Sequence, residues 1–265
     1  MSKSTLVLVL ISVLLIMMVF PAVAHAENAK PQPIPPGETV QIRVQPTESV
    51  SGPRTGPPES VVVAAGHYHH LGAQSGQDTV AIYAELTVTN PAVPHTGQHF
   101  YASRIMEKND GGTVWIEIGW AELGWKEDKQ YVYVYDSVDK VWHLYGQYPI
   151  SSGMTITVEI RHDTSYPGYW EAMLWWSGSW RILDWEYMGF TQGPAIEEYG
   201  EVYTPNDVDF AISRTYFKNV QLMKPGQTVF VKWDTQIPTS PSQEVQHIYR
   251  LTWHNKYYYW SIYSV

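Results

Sequence analysis

Apolar and polar side chains alternate with a period of two along most of this chain beyond residue 60, the spacing that lets a β-strand bury one face. The alternating runs cover 61–65, 79–88, 99–107, 113–122, 130–136 and 142–145, then 154–161, 170–176, 180–185, 200–204 and 216–222. Turn-forming clusters separate them, among them Asn109-Asp-Gly-Gly112, Ser151-Ser-Gly153 and Ser177-Gly-Ser179. Short strands joined by such turns predict antiparallel hairpins, hence an all-β jelly-roll or concanavalin-like β-sandwich. The pattern continues beyond Lys224 at 229–233, 247–253 and 257–263. That extension, 224–265, either completes a sheet or forms a small meander of its own, and the domain proper is assigned to 61–223.

The first 60 residues read differently. Lys3, an apolar run from Leu6 to Phe20 and Ala24-His-Ala26 are the parts of a cleaved signal peptide over 1–26. The run is shorter than the roughly 20 residues of a membrane span, so a secreted protein without a membrane partner is expected once the peptide is removed. Residues 27–60 hold prolines at 31, 33, 35, 36, 46, 53, 57 and 58 and read as an extended linker. Within it, 38–44 alternates well enough to add one edge strand.

Composition narrows the function. The formal charge is −9, and losing residues 1–26, which carry Lys3 and no acid, makes it −10; nucleic acid needs a basic surface and is excluded as the main partner. There is no cysteine, so neither disulfides nor thiolate metal sites hold the fold. Twelve tryptophans and 19 tyrosines suit strands and suit a groove that stacks on a ligand.

The chemistry starts from a carboxylate in an apolar strand. In Val114-Trp-Ile-Glu-Ile-Gly-Trp120, alternation puts Val114, Ile116, Ile118 and Trp120 on one face, and Trp115, Glu117, Gly119 and Ala121 on the other. The first face is expected in the core. The second carries Glu117 beside two small residues that leave room for a ligand chain. Downstream, Glu201 shares a face with Tyr203, and Tyr131, Tyr133 and Tyr135 share a face of the intervening strand. Two acids in one groove divide acid and base roles. A structural ion-pair network is the competing reading for both. Glu197 and Glu198 are expected to face solvent.

In order, the runs Phe100-Tyr-Ala-Ser-Arg-Ile105, Ile116-Glu-Ile-Gly-Trp120, Tyr131-Val-Tyr-Val-Tyr135, Ala172-Met-Leu-Trp-Trp176, Ile196-Glu-Glu-Tyr-Gly-Glu-Val-Tyr203 and Tyr216-Phe-Lys-Asn-Val-Gln221 resemble the catalytic domain of the neprosin family over about residues 60–222. The resemblance implies a secreted glutamic endopeptidase on a jelly-roll sandwich, distantly similar to the eqolisins. Its catalytic pair would be Glu117 and Glu201, it would cleave next to proline at acid pH, and it would need no metal or other cofactor. The substrate would be a polypeptide, proline-rich ones included, with Tyr131, Tyr133, Trp176 and Tyr203 as substrate-binding walls. The chain departs from the family pattern at Tyr199-Gly200, where a glycine pair is expected, and in the short 206–215 connection.

Other readings stay open. A non-catalytic carbohydrate-binding or cell-surface sandwich would use the same aromatic residues. His67, His69 and His70 sit at spacings that ligate a metal on a strand, with surface histidines as the plainer alternative. Asp128, Asp136 and Asp139 lack the spacing of a calcium loop and read as turn residues. No nucleophile elbow, zinc-helix motif, P-loop or dinucleotide motif occurs.

Overall fold

The computed structural model describes residues 31–34, 38–57, 67–193, 195–205 and 208–265. The expected signal peptide and the expected strand at 61–65 lie outside the described residues.

In chain order the strands are β1 (Glu48–Val50), β2 (His67–Ser75), β3 (Ala81–Thr87), β4 (Phe100–Lys108), β5 (Trp115–Leu123) and β6 (Gln130–Asp136). Then come β7 (Trp142–Leu144), β8 (Thr155–His162), β9 (Tyr169–Trp176), β10 (Ser179–Tyr187), β11 (Ala195–Thr204) and β12 (Thr215–Met223). Short pieces finish the chain: β13 (Val231–Lys232), β14 (Thr239–Pro241), β15 (Val245–Gln246), β16 (Tyr249–Asn255) and β17 (Tyr259–Ser264). No helix occurs among the described residues.

These strands form two antiparallel sheets. One runs β1-β7-β6-β5-β4-β11-β2-β14, the other β10-β9-β8-β3-β12-β17-β16-β15, with β13 beside β12. Alternation decides what lies between them. Ile116, Ile118 and Trp120 of β5, Val132 and Val134 of β6 and Val202 of β11 meet Ile82, Val158, Leu174 and Phe217 of the second sheet in one buried cluster. The partner residues on the same strands form a separate aromatic cluster on the outer face of the first sheet: Trp115, Ala121, Tyr131, Tyr133, Tyr135 and Tyr203, with Phe100 and Trp142. The period-two reading of the faces is therefore what the fold uses.

The β9–β10 turn shows local sequence acting directly. Ser177 and Gly178 have φ of 48° and 82°, the two positive values of a tight hairpin turn whose twist matches its strands, and glycine takes the second without strain. Gly119 differs from expectation. No ligand space lies there, because a Cβ at this position would come within 1.9 Å of the Ser103 backbone oxygen on β4. Gly119→Ala is expected to cost about 1–3 kcal/mol by overpacking, read as a lower guanidinium midpoint; an unchanged midpoint would contradict the close approach.

Two further differences concern the ends. The extension beyond Lys224 completes the sheets: β17 pairs with β12, β16 with β17, and β14 with β2. The proline-rich stretch, in its described parts, is a strap laid on the domain rather than a free tether. Ile34 N donates to buried Glu159 Oε2 at 3.0 Å on the second sheet. Arg43 makes a single parallel bridge to Ile182, in place of the edge strand expected at 38–44, and Glu48–Val50 pairs with β7 on the first sheet. Strand edges offer unpaired donors and acceptors, and the strap takes up those of β10 and β7.

Candidate active site

Strand β4 is the axis of the site. Its neighbours are β5 on one side and β11 on the other, with Glu117 opposite Met106 and Glu201 opposite Ala102. Alternation puts Ala102, Arg104 and Met106 on the outer face, so Arg104 stands midway between the two acids. Its Nε lies 3.0 Å from Glu201 Oε2 and 3.4 Å from Glu117 Oε2. All three side chains are fully buried. Buried charges persist where they are paired and hydrogen-bonded, and here one guanidinium serves two carboxylates.

The surroundings of the acids differ. Glu117 Oε1 accepts from the Tyr133 hydroxyl at 2.9 Å. Glu201 Oε2 accepts from Thr55 Oγ1 at 2.7 Å and from Arg104 Nε, while its Oε1 faces His70 Nε2 at 3.4 Å. That His70 nitrogen also lies 3.1 Å from the Gly56 carbonyl oxygen. Both of its neighbours are acceptors, so Nε2 carries the proton. Burial pushes Glu117 up to about 8; the Arg104 charge opposes this and the Glu201 carboxylate adds to it. Burial acts on Glu201 in the same direction, but His70 and Arg104 outweigh it and hold this carboxyl below its ordinary value. The pair shares its titration, with Glu117 the neutral member and Glu201 the ionised one. Each keeps one oxygen, Glu117 Oε2 and Glu201 Oε1, without a hydrogen bond from the described residues.

The structure brings together most of the residues singled out in the sequence. Glu117, Glu201, Tyr131, Tyr133 and Tyr203 occupy one face of one sheet, and the Tyr203 ring stacks on Phe100 at 5.5 Å. Trp176 does not join them. It lies on β9 in the other sheet, 5.3 Å from the ring of Tyr148, so it cannot form a wall of this groove. Glu198 also departs from expectation. One residue's shift along β11 turns it inward, where it is fully buried and accepts from Trp260 Nε1 at 2.7 Å.

Among the histidines, the side chain of His67 lies outside the described residues. His69 faces Asp209 and His247, near enough to share an ion, but on the opposite side of β2 from His70. Asp136 accepts from the Val138 and Asp139 amides, the turn role expected of it. Arg104 and Thr55 are not singled out by the sequence, and His70 only as a candidate metal ligand. The signal for Arg104 was legible: a cation on the outer-face phase of an apolar strand needs an acid, and Glu117 and Glu201 are the acids of that face. His70 and Thr55 join only through long-range pairing.

No family model matches the sequence, and none of the curated proteins matches it. Solved structures do. Scytalido-glutamic peptidase with a peptide-based transition-state analogue superposes with a TM-score of 0.53 at 12% identity, and the same peptidase with a transition-state analogue inhibitor with 0.54 at 13%. SCP-B, a member of the eqolisin family of peptidases in complex with the tripeptide Ala-Ile-His, gives 0.51 at 12%. Each comparison covers 76% of this chain and 100% of the other. The chain thus has the glutamic-peptidase β-sandwich fold, while membership of the neprosin family is not shown.

Proposed function

We propose that this protein is a secreted endopeptidase of the glutamic type, with Glu201 as general base, Glu117 as general acid and peptide bonds next to proline as its targets. One observation carries the reading: β5 and β11 deliver two glutamates to one buried arginine, with one acid held neutral and the other ionised, on a fold shared with glutamic peptidases. Ionised Glu201 takes a proton from water attacking the peptide carbonyl. Arg104 Nη2 and His70 Nε2 both address the Gly56 carbonyl oxygen, at 2.9 and 3.1 Å, and supply the donors on which the oxyanion develops. Neutral Glu117 then protonates the leaving nitrogen. The solved neighbours described with peptide-based analogues support a polypeptide substrate, and the neprosin resemblance supports the proline preference. No observation favours a sugar-binding face, since all 12 tryptophans are buried or half-buried.

The test is hydrolysis of a proline-containing polypeptide between about pH 3 and pH 8, with and without a metal chelator, counting cuts in the polypeptide or in the chain itself. Cleavage that survives chelation is expected. No cut at any pH, or cutting that needs a metal, would overturn the reading.

The pH profile carries a second prediction. Glu117 is faced by Arg104, Tyr133, Tyr135 and Glu201, and Glu201 by His70, Arg104 and Tyr68. Burial is the main cause of the rise in Glu117, and a bound peptide adds to burial by displacing water from the groove. The alkaline limb of kcat, which reports the filled groove, should lie above that of kcat/KM, which reports the open one. Coincident limbs would remove burial as the cause.

A further inference from the structure

The strap does more than cover the sheet edge. From Pro53 to Gly56 it lies over the two glutamates, and its backbone is read by the groove. The Pro53 carbonyl accepts from Trp142 Nε1 at 3.0 Å, and the Arg54 carbonyl from the Tyr68 hydroxyl at 3.0 Å. The Gly56 carbonyl accepts from Arg104 Nη2 and faces His70 Nε2. The Arg54 guanidinium stands over the Trp115 ring, 4.3 Å from its centroid. Thr55, Gly56 and Pro57 are buried, and Thr55 Oγ1 reaches Glu201. Backbone carbonyls held in sequence, with one side chain in an aromatic site, are how a groove holds an extended peptide.

We propose that this segment is the protein's own first substrate, bound with the Gly56–Pro57 bond at the glutamates and with Arg54 in a cation-accepting subsite built on Trp115. The proposal rests on the reading of Glu117 and Glu201 as acid and base, and it adds the register, the bond and the subsite. The Gly56 carbonyl is the one in this stretch gripped by both Arg104 and His70, which marks it for attack. Water adds its oxygen to the Gly56 carbonyl carbon and gives a proton to Glu201. The oxyanion lies against Arg104 and His70. The carbon–nitrogen bond to Pro57 breaks as that nitrogen takes the proton of Glu117. The products are a carboxyl group at Gly56 and a secondary amine at Pro57, and the proton on Glu201 returns the pair to its starting state by way of Glu117. For other substrates, the same register places an arginine or lysine two residues before the residue whose carbonyl is attacked.

The full chain, brought to about pH 4, tests this by intact mass and N-terminal sequencing, with an added proline-containing peptide as a second readout. A new N-terminus at Pro57 is expected, at a rate unchanged by about tenfold dilution because the reaction is intramolecular. Arg54→Ala should slow it by about 2- to 30-fold, the range of a cation–π contact, and Arg54→Lys by less. A different N-terminus, a rate that falls on dilution, or an Arg54→Ala rate equal to wild type would overturn the assignment. So would an intact strap in a chain that cuts the added peptide, an outcome that leaves the peptidase reading standing. A chain that cuts neither brings down both.

Discussion

Glu117→Gln and Glu201→Gln are both expected to lower hydrolysis by about 10²–10⁴-fold, and to separate sharply in stability. Glu117 is neutral in the folded chain and accepts one hydrogen bond, from Tyr133. Glutamine has the same shape and offers the same carbonyl oxygen, so the change should stay within about 1 kcal/mol. Glu201 is the ionised partner of a fully buried arginine. Replacing it strips Arg104 of its ionised partner in a buried site, at a cost of about 3–5 kcal/mol at neutral pH. Guanidinium unfolding of the two variants beside single-turnover cleavage separates these effects. A stable, inactive Glu117→Gln and a destabilised, inactive Glu201→Gln are expected. Equal destabilisation would mean that Glu117 is also ionised and that roles are not divided as described. Near-normal turnover by Glu117→Gln would remove it from the chemistry.

Much of this arrangement could be read from the sequence, for reasons that also explain the rest. The alternation in 114–121 named the core face and the groove face because a strand has only two faces, and one misplaced residue would have reversed them. The same rule put Glu201 with Tyr203 and Tyr131 with Tyr133. It failed where the information is not local. Trp176 has the composition of a groove wall, yet which sheet a strand joins depends on pairing across tens of residues. Glu198 looks exposed by charge, but its phase on β11 turns it inward toward Trp260. The strand His67–Ser75 carries few branched apolar residues, and its place between β11 and β14 is fixed by partners remote in sequence. The proline-rich strap has no core of its own, and its docking depends on carbonyls, which every residue has, and so leaves little trace in composition.

Stability should fall as pH rises from acid to neutral. Beyond the catalytic pair, three glutamates among the described residues are fully buried: Glu107, Glu159 and Glu198. Burial lifts each above the ordinary value of 4.5, with only partial relief from Thr79, from the Ile34 amide and from Trp260 respectively. For Glu159 the value reaches about 8. Below about pH 4.5 folded and unfolded chains are both protonated at these sites, and the protons favour neither. Above it the unfolded chain releases protons that the folded chain retains, so unfolding gains with each further unit until the folded value is passed. Glu201 acts in the opposite sense, since its lowered value gives stability above the ordinary carboxylate pKa that is lost only as pH falls through the folded one. One group against these three, and against Glu117 in its own pair, leaves the balance with the raised acids. Each tenfold difference in proton affinity between the folded and unfolded chains is worth about 1.4 kcal/mol, which in a domain of this size moves the melting temperature by roughly 4 °C. Thermal unfolding of the Glu201→Gln chain, where self-cleavage does not interfere, should therefore give a higher Tm near pH 5 than near pH 8. In that background Glu198→Gln, which keeps the Trp260 hydrogen bond and carries no proton to lose, should flatten the slope. A Tm that rises between those pH values would mean that these interior acids are ionised and that the sandwich holds their charges by partners other than Thr79, Ile34 and Trp260.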